Sequence, residues 1–161
     1  MRELEKFFLE QRSKGEDVYA TILDDGRAFF WLNNVVGYLR KAEDCMLNPH
    51  AFRFMCSDMR IEISDMFNLR ENENPHGVDE RINCTTGENR YGGYTILESS
   101  SGTRHFVNRD VLGIVMKDIG DNDALYTVWS TNSELSRVLF TSNDSEVKYI
   151  LIPLFPWECE K

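Results

Sequence analysis

A polar, turn-rich stretch at residues 70–93 is the feature that most restricts how this chain can fold. It contains almost no aliphatic side chains apart from Val78 and Ile82, and it is longer than an ordinary connection between two elements. Helical periodicity dominates before it, whereas short alternating or apolar runs dominate after it. Helices and strands that are segregated along a chain indicate an α+β protein rather than an alternating α/β one.

The half before this stretch is predicted to be rich in helices. Apolar residues recur there at intervals of three and four positions, which is the period of an amphipathic helix. The helices are expected over residues 2–13, 35–46 and 49–67. Between the first two helices, Asp25 and Gly26 are typical of a type I′ turn, so a hairpin is expected there. Its two strands would be residues 18–23 and 27–32.

The half after the stretch is predicted to form the β-sheet. Short apolar runs are separated there by turns rich in serine, glycine, aspartate and asparagine. The expected strands are residues 94–98, 104–108, 111–117, 124–130 and 147–151, with a short helix at 133–140. The sequence therefore predicts one α+β domain over residues 1–161. A helix-rich N-terminal half would pack on a mainly antiparallel sheet from the C-terminal half, with a long polar loop at about 70–93.

The formal net charge of −9 at pH 7 restricts the class of partner. Phosphate backbones are bound by lysine and arginine side chains that replace condensed counterions, so direct nucleic-acid binding is not expected. The same charge disfavours an anionic membrane, and no run reaches the roughly 18 apolar residues that a membrane span needs. Residues 1–6 are too charged to begin a secretory signal. A cytoplasmic protein with reduced cysteines and a basic partner is predicted.

Acidic residues are concentrated at predicted turns and helix ends, where side chains meet solvent. A dispersed acidic surface of this kind attracts basic proteins or imitates a phosphate backbone. The residues expected to contact the partner are Glu71, Glu73, Asp79, Glu80, Asp121 and Asp123. Aspartate is also an ordinary turn residue, so the same pattern is compatible with an acidic surface that serves solubility alone.

A small set of side chains offers the elements of catalysis. His105, Arg109 and Glu98 would combine acid–base groups with a cation, which suits cleavage of a phosphodiester if all three share the rim of the sheet. His76 with Asp79 is a second pairing of imidazole and carboxylate. The chain has no glycine-rich phosphate loop and no G-x-S-x-G elbow, so no cofactor is expected and the hypothesis of an enzyme is weakened.

Two further groups of residues are candidate sites. Cys45, His50 and Cys56 are zinc ligands by residue type, but their spacing matches no structural zinc pattern and a fourth ligand is not evident, so no metal is expected. The aromatic C-terminal residues 151–157 form either a docked terminus or an exposed anchor, since tryptophan and phenylalanine are frequent interface residues. Docking is the preferred interpretation.

The leading hypothesis for function is a small acidic binding protein that inhibits a basic macromolecular partner. An immunity protein against a nuclease toxin, or a phage-type inhibitor of a host defence nuclease, has these properties. One alternative is a small nucleotide- or RNA-directed hydrolase that uses His105, Arg109 and Glu98. The other is a structural or assembly subunit that is anchored through its aromatic C-terminus.

Overall fold

The computed structural model describes residues 1–66, 80–81, 86–88, 93–98, 102–120, 126–130, 134–142 and 146–159. The helices of this part are α1 (Glu3–Ser13), α2 (Ser57–Met66), α3 (Arg109–Ile119) and α4 (Pro156–Cys159). The strands of the N-terminal half are β1 (Val18–Ile22), β2 (Arg27–Leu32), β3 (Val36–Lys41) and β4 (Arg53–Phe54). The later strands are β5 (Glu80–Arg81), β6 (Thr86–Glu88), β7 (Tyr94–Glu98), β8 (Arg104–Asn108), β9 (Tyr126–Ser130), β10 (Val138–Ser142) and β11 (Lys148–Leu151).

One large sheet contains strands from both halves of the chain. In the described part of the chain its strands have the order β4-β1-β2-β3-β11-β10-β9-β5, and their pairings are antiparallel except for the parallel pair of β1 and β4. The join between the halves is the pairing of β3 with β11, in which Tyr38 lies opposite Tyr149. The predicted architecture, a helix-rich N-terminal half packed on a C-terminal sheet, is therefore wrong. The N-terminal half supplies half of the large sheet itself.

The error has a local cause at residues 35–46, which form β3 and a short 3₁₀ helix instead of an α-helix. Val36 and Leu39, which looked like neighbours on one helical face, belong to opposite faces of the sheet. Both faces are covered, so β3 shows no polar alternation that would reveal a strand. Buried strands of this kind cannot be distinguished from buried helices by periodicity alone.

Three other elements differ from prediction. The helix expected over 49–67 begins only at Ser57, because residues before it form a 3₁₀ turn and the short strand β4. Residues 111–117 lie in α3, not in a strand. Of the short helix expected at 133–140, residues 138–140 lie in β10. The side chain of Asn108 explains α3, since its Oδ1 accepts hydrogen bonds from the N–H groups of Asp110 and Val111 at 3.0 and 3.1 Å.

The first helix, the β1–β2 hairpin and the pair of β7 and β8 are confirmed. The turn of the hairpin differs from the predicted type I′ geometry. Only Gly26 has a positive φ, +84°, and the Leu23 N–H donates to the Arg27 carbonyl at 2.8 Å. Three residues thus connect the strands, with glycine in the left-handed position that a bulged turn requires.

The large sheet has a core on each face. On the first face, α1, α3 and the strands β7 and β8 of the small sheet β6-β7-β8 pack against a buried row that includes Phe30, Tyr38 and Tyr149. On the second face, Met55 and Met59 pack with Phe29, Trp31, Leu39, Leu139 and Ile150. No helix among the described residues is long and apolar enough to cross a membrane.

Candidate binding surface

The structure does not bring the predicted catalytic residues together. In the pairing of β7 with β8, His105 lies opposite Leu97 while Glu98 lies opposite Arg104. Side chains alternate along a strand, so His105 and Glu98 point to opposite faces of the small sheet. His105 is fully buried, whereas Glu98 and Arg109 are exposed. The rim that the catalytic hypothesis required is not formed by these three residues.

Most of the predicted acidic contacts lie outside the described residues. This applies to Glu71, Glu73, Asp79, Asp121 and Asp123, and also to His76. Glu80 lies on β5, which pairs with β9. Its side chain is not among those that the structure describes. Two short strands, β5 and β6, fall within the stretch that was predicted to be a loop.

The three residues considered as zinc ligands differ in their exposure. Cys45 is half-buried, while His50 and Cys56 are exposed. Within the described ranges, no group of three or more histidine, cysteine, aspartate or glutamate side chains is placed to hold a metal ion.

A buried polar cluster lies beneath the N-terminus of α1. Glu5 is fully buried there, and its two carboxylate oxygens accept hydrogen bonds from the N–H groups of Met46 at 2.8 Å and Arg2 at 3.1 Å. The second bond is half of a capping box, in which a glutamate reaches back to the residue before the helix. The arginine at that position is a pure donor and cannot supply the other half.

Asp118, at the end of α3, supplies an acceptor for a different N–H of the first turn, that of the second helical residue. Both of its carboxylate oxygens lie 3.3 Å from the N–H of Leu4. Arg2 completes the cluster by donating to the Tyr149 hydroxyl at 3.1 Å. Burial raises the pKa of Asp118 above its usual value, although the Leu4 N–H and the Arg2 guanidinium oppose this. These contacts join α1, α3 and β11, which identifies the cluster as a structural joint.

Cys45 borders this joint, and its surroundings disfavour a thiolate. Burial, together with the nearby Glu5 carboxylate, raises the pKa of the Cys45 thiol to about 11 from an ordinary value of 9.0. Because the thiolate is the nucleophile, Cys45 is a poor candidate for covalent chemistry at neutral pH.

Thiol labelling tests this interpretation. With iodoacetamide at pH 8, we expect Cys45 to react at least about fiftyfold more slowly than Cys56, since its raised pKa leaves far less thiolate and its side chain is half-buried. Mass spectrometry of the digested protein measures both rates in one sample. The two cysteines should react at similar rates in denaturant. Similar rates in the native protein would show that the pocket around Cys45 is open.

Two large apolar side chains that are close in sequence remain exposed. Phe54 is 80% exposed on β4, which pairs with β1 at the position of Ala20, and Ile61 is 61% exposed on α2. Ala20 belongs to the core of the first face and Met59 of α2 to the core of the second, so Phe54 and α2 lie on different faces of the sheet.

The C-terminal segment is docked through its backbone but not through its aromatic rings. The N–H of Ile152 donates to the Val35 carbonyl at 3.0 Å, and that of Leu154 donates to the Phe106 carbonyl at 2.7 Å. Phe155 and Trp157 stack on each other with ring centroids 4.9 Å apart, yet they remain 48% and 59% exposed. The prediction of a docked C-terminus is therefore correct for the backbone up to residue 154. The two aromatic rings that follow are exposed.

The exposure of Phe54 and Ile61 was missed by the sequence interpretation, although a signal for it exists. The apolar residues at helical spacing within 49–67 include Met55, Met59 and Ile63 but not Phe54 or Ile61. Apolar residues that lie off the buried stripe of an amphipathic helix are candidates for surface contact.

No protein-family model, no curated protein and no solved structure matches this chain, so its function has to be inferred from its own residues.

Proposed function

We propose that this chain is a small acidic binding protein that neutralises a basic macromolecular partner in the cytoplasm, with a nuclease as the class of partner. The observation that carries the proposal is that several exposed cations are paired with carboxylates, while other exposed carboxylates are not in such pairs. Five surface cations already pair with carboxylates: Lys6 with Glu3, Lys14 with Glu10, Arg27 with Asp25, Lys41 with Glu146 and Arg53 with Asp17. Neighbouring acids thus neutralise these five positive charges.

Other exposed carboxylates of the described residues are not members of these ion pairs. In the part of the chain that the structure describes, no ion pair involves Asp24, Glu43, Asp44, Asp58 or Glu62. Together with the net charge of −9, they give the surface a negative field. A field of this sign increases the association rate of a basic protein and repels nucleic acids.

The proposal includes the acidic residues that lie outside the described ranges. Glu71 and Glu73, and separately Asp121 and Asp123, are proposed to contact the partner. The placement of His105, Glu98 and Arg109 supports binding over hydrolysis, because these three side chains do not converge.

Charge reversal tests the proposal. The tagged protein is used to capture partners from its native lysate at low and moderate salt, and the captured partner is then purified. We expect a basic protein that salt releases, and we expect Glu71→Lys with Glu73→Lys, or Asp121→Lys with Asp123→Lys, to weaken its binding about tenfold or more. Titration calorimetry at two salt concentrations measures the change.

A matched control is available on the described surface. Glu98→Lys combined with Glu134→Lys changes the net charge by the same amount, at exposed positions that are not among the proposed contacts. This control should bind within about twofold of the wild type. A captured partner that is acidic, or one whose affinity responds neither to salt nor to the two test variants, would refute the proposal.

A further inference from the structure

We propose that the stacked rings of Phe155 and Trp157 receive an arginine side chain of the basic partner. These two residues are called the aromatic pair below. The inference rests on the proposed function and deepens it, because it assigns a contact site and the chemistry of the group that occupies it. Ring geometry, exposure and charge support it together.

The aromatic pair is one surface, since its two rings are in direct contact. Their centroids lie 4.9 Å apart and their planes differ by 15°. Each ring covers part of one face of the other, yet Phe155 stays 48% exposed and Trp157 stays 59% exposed. A planar side chain that was covered on both faces would expose little more than its edge. An outward face of the stack is therefore open to solvent.

The backbone holds the aromatic pair in position before any ligand binds. The N–H of Leu154, directly before the pair, donates to the carbonyl of Phe106 at 2.7 Å. Pro153 precedes Leu154 and Pro156 separates the two aromatic residues, and the ring of each proline restricts its own φ. A surface that is arranged before binding loses less conformational entropy when its ligand arrives.

An open aromatic face attracts a cation, because the face of a ring carries the negative end of its quadrupole. Tryptophan is the strongest partner in this interaction, and arginine is the cation most often found in it. Two other rings of the described residues are already covered in this way. The guanidinium of Arg12 lies 5.0 Å from the ring centroid of Phe52, and that of Arg104 lies 5.3 Å from the ring centroid of Phe106. No cation of the described residues lies over the aromatic pair.

Charge complementarity determines which occupant fits. The net charge of −9 attracts cations, and it repels both the phosphates of a nucleic acid and a second copy of this chain. In the sequence, Glu158 and Glu160 follow Trp157 against a single basic residue, Lys161. A guanidinium is both cationic and planar, so it stacks on an aromatic face, whereas the ammonium of lysine is compact and more strongly hydrated. Arginine therefore fits the aromatic pair better than lysine, a nucleobase or an apolar side chain.

Binding of defined peptides tests the inference. The probes are three fluorescent peptides in which glycine alternates with arginine, lysine or citrulline, and fluorescence anisotropy measures their affinity. Citrulline keeps the planar group of arginine but has no charge. We expect the arginine peptide to bind most tightly, about tenfold or more above the citrulline peptide. Trp157→Leu should weaken the arginine peptide about fivefold and abolish its advantage over the lysine peptide. Trp157→Phe retains an aromatic face and should lose less.

The chain provides a matched control. Phe54→Leu makes the same kind of change, from an aromatic to an aliphatic side chain, at a residue of β4 that is 80% exposed and is not part of the aromatic pair. This control should bind the arginine peptide within about twofold of the wild type. Circular dichroism confirms that each variant is folded. If Phe54→Leu weakens binding as much as Trp157→Leu, or if Trp157→Leu leaves the preference for arginine unchanged, the peptide follows net charge or general apolar exposure and the inference is wrong.

The indole N–H signals in a nitrogen–proton correlation spectrum give a second measurement on the wild-type chain. Trp157 is 59% exposed, whereas Trp31 is 3% exposed and donates to the Asn33 side chain at 3.4 Å. The arginine peptide should shift the signal of Trp157, which the spectrum of Trp157→Leu identifies, and should leave that of Trp31 in place. An unmoved Trp157 signal at saturating peptide, or an arginine peptide that does not bind at all, would overturn the inference.

Trp157→Leu, applied to the partner captured from lysate, separates the two proposals. If this variant binds a salt-sensitive basic partner as tightly as the wild type, the aromatic pair is not the contact and the proposed function stays intact. Capture of no basic partner removes the proposed function, whatever the peptide shows.

Discussion

Replacing Phe30 with alanine is expected to lower the free energy of unfolding by about 4 kcal/mol. The side chain is fully buried in the middle of β2. Its ring contacts Phe8 of α1 with centroids 5.9 Å apart, and Phe52 before β4 with centroids 5.6 Å apart. Truncation therefore leaves a cavity where the first helix, the sheet and the chain entering its edge strand meet.

Urea denaturation followed by circular dichroism measures this effect. Phe54→Ala is the control, because the same side chain is removed from a position that is 80% exposed, and its effect should stay within about 0.5 kcal/mol. Equal losses for the two variants would mean that the edge of the sheet is not organised as described.

The parts of the fold that the sequence predicts correctly are those with a local and one-sided signal. α1 has one buried face and one solvated face, and Gly15 follows it with a φ of +83°. The β1–β2 hairpin has a short turn with glycine at its left-handed position. In both cases the information lies within a few residues of the element, so no knowledge of distant packing is needed.

The parts that it does not predict depend on distant packing. β3 is buried on both faces because α1 and α3 cover one side while Met55 and Met59 lie on the other, and none of these residues is adjacent to it in sequence. Its pairing with β11 joins residues more than a hundred positions apart. Without that partner, the apolar residues of β3 resemble one face of a helix.

The same limit applies to the candidate catalytic residues. Sequence alternation correctly separates His105 from Arg104, but it does not reveal which face of the small sheet becomes buried. The structure turns His105 to the inside with Leu97 and Val107, and it leaves Glu98 outside. A histidine beside cations in a sequence therefore identifies a catalytic candidate only when the neighbouring elements leave its face open.

The joint beneath α1 shows how long-range contacts decide the fold. Glu5 binds the N–H of Met46, which lies on the segment between β3 and β4, and Asp118 binds the N–H of Leu4 from the end of α3. Residues 42–48 therefore run next to α1, although sequence periodicity placed part of them in a helix. A single buried carboxylate, that of Glu5, thus bonds both to the start of α1 and to this segment.

Glu5→Ala is accordingly expected to lower the free energy of unfolding by about 3 kcal/mol, because it empties a fully buried position and removes the acceptor of two partly buried N–H groups, those of Arg2 and Met46. Glu5→Gln retains one acceptor oxygen and should lose less. Glu10→Ala, at an exposed position on the same helix, is the control and should cost less than about 0.5 kcal/mol, since surface ion pairs contribute little. Urea denaturation gives all three values. A loss for Glu5→Ala no larger than that for Glu10→Ala would show that backbone packing alone holds α1 and the crossing segment together. The expected order would show that the carboxylate holds them.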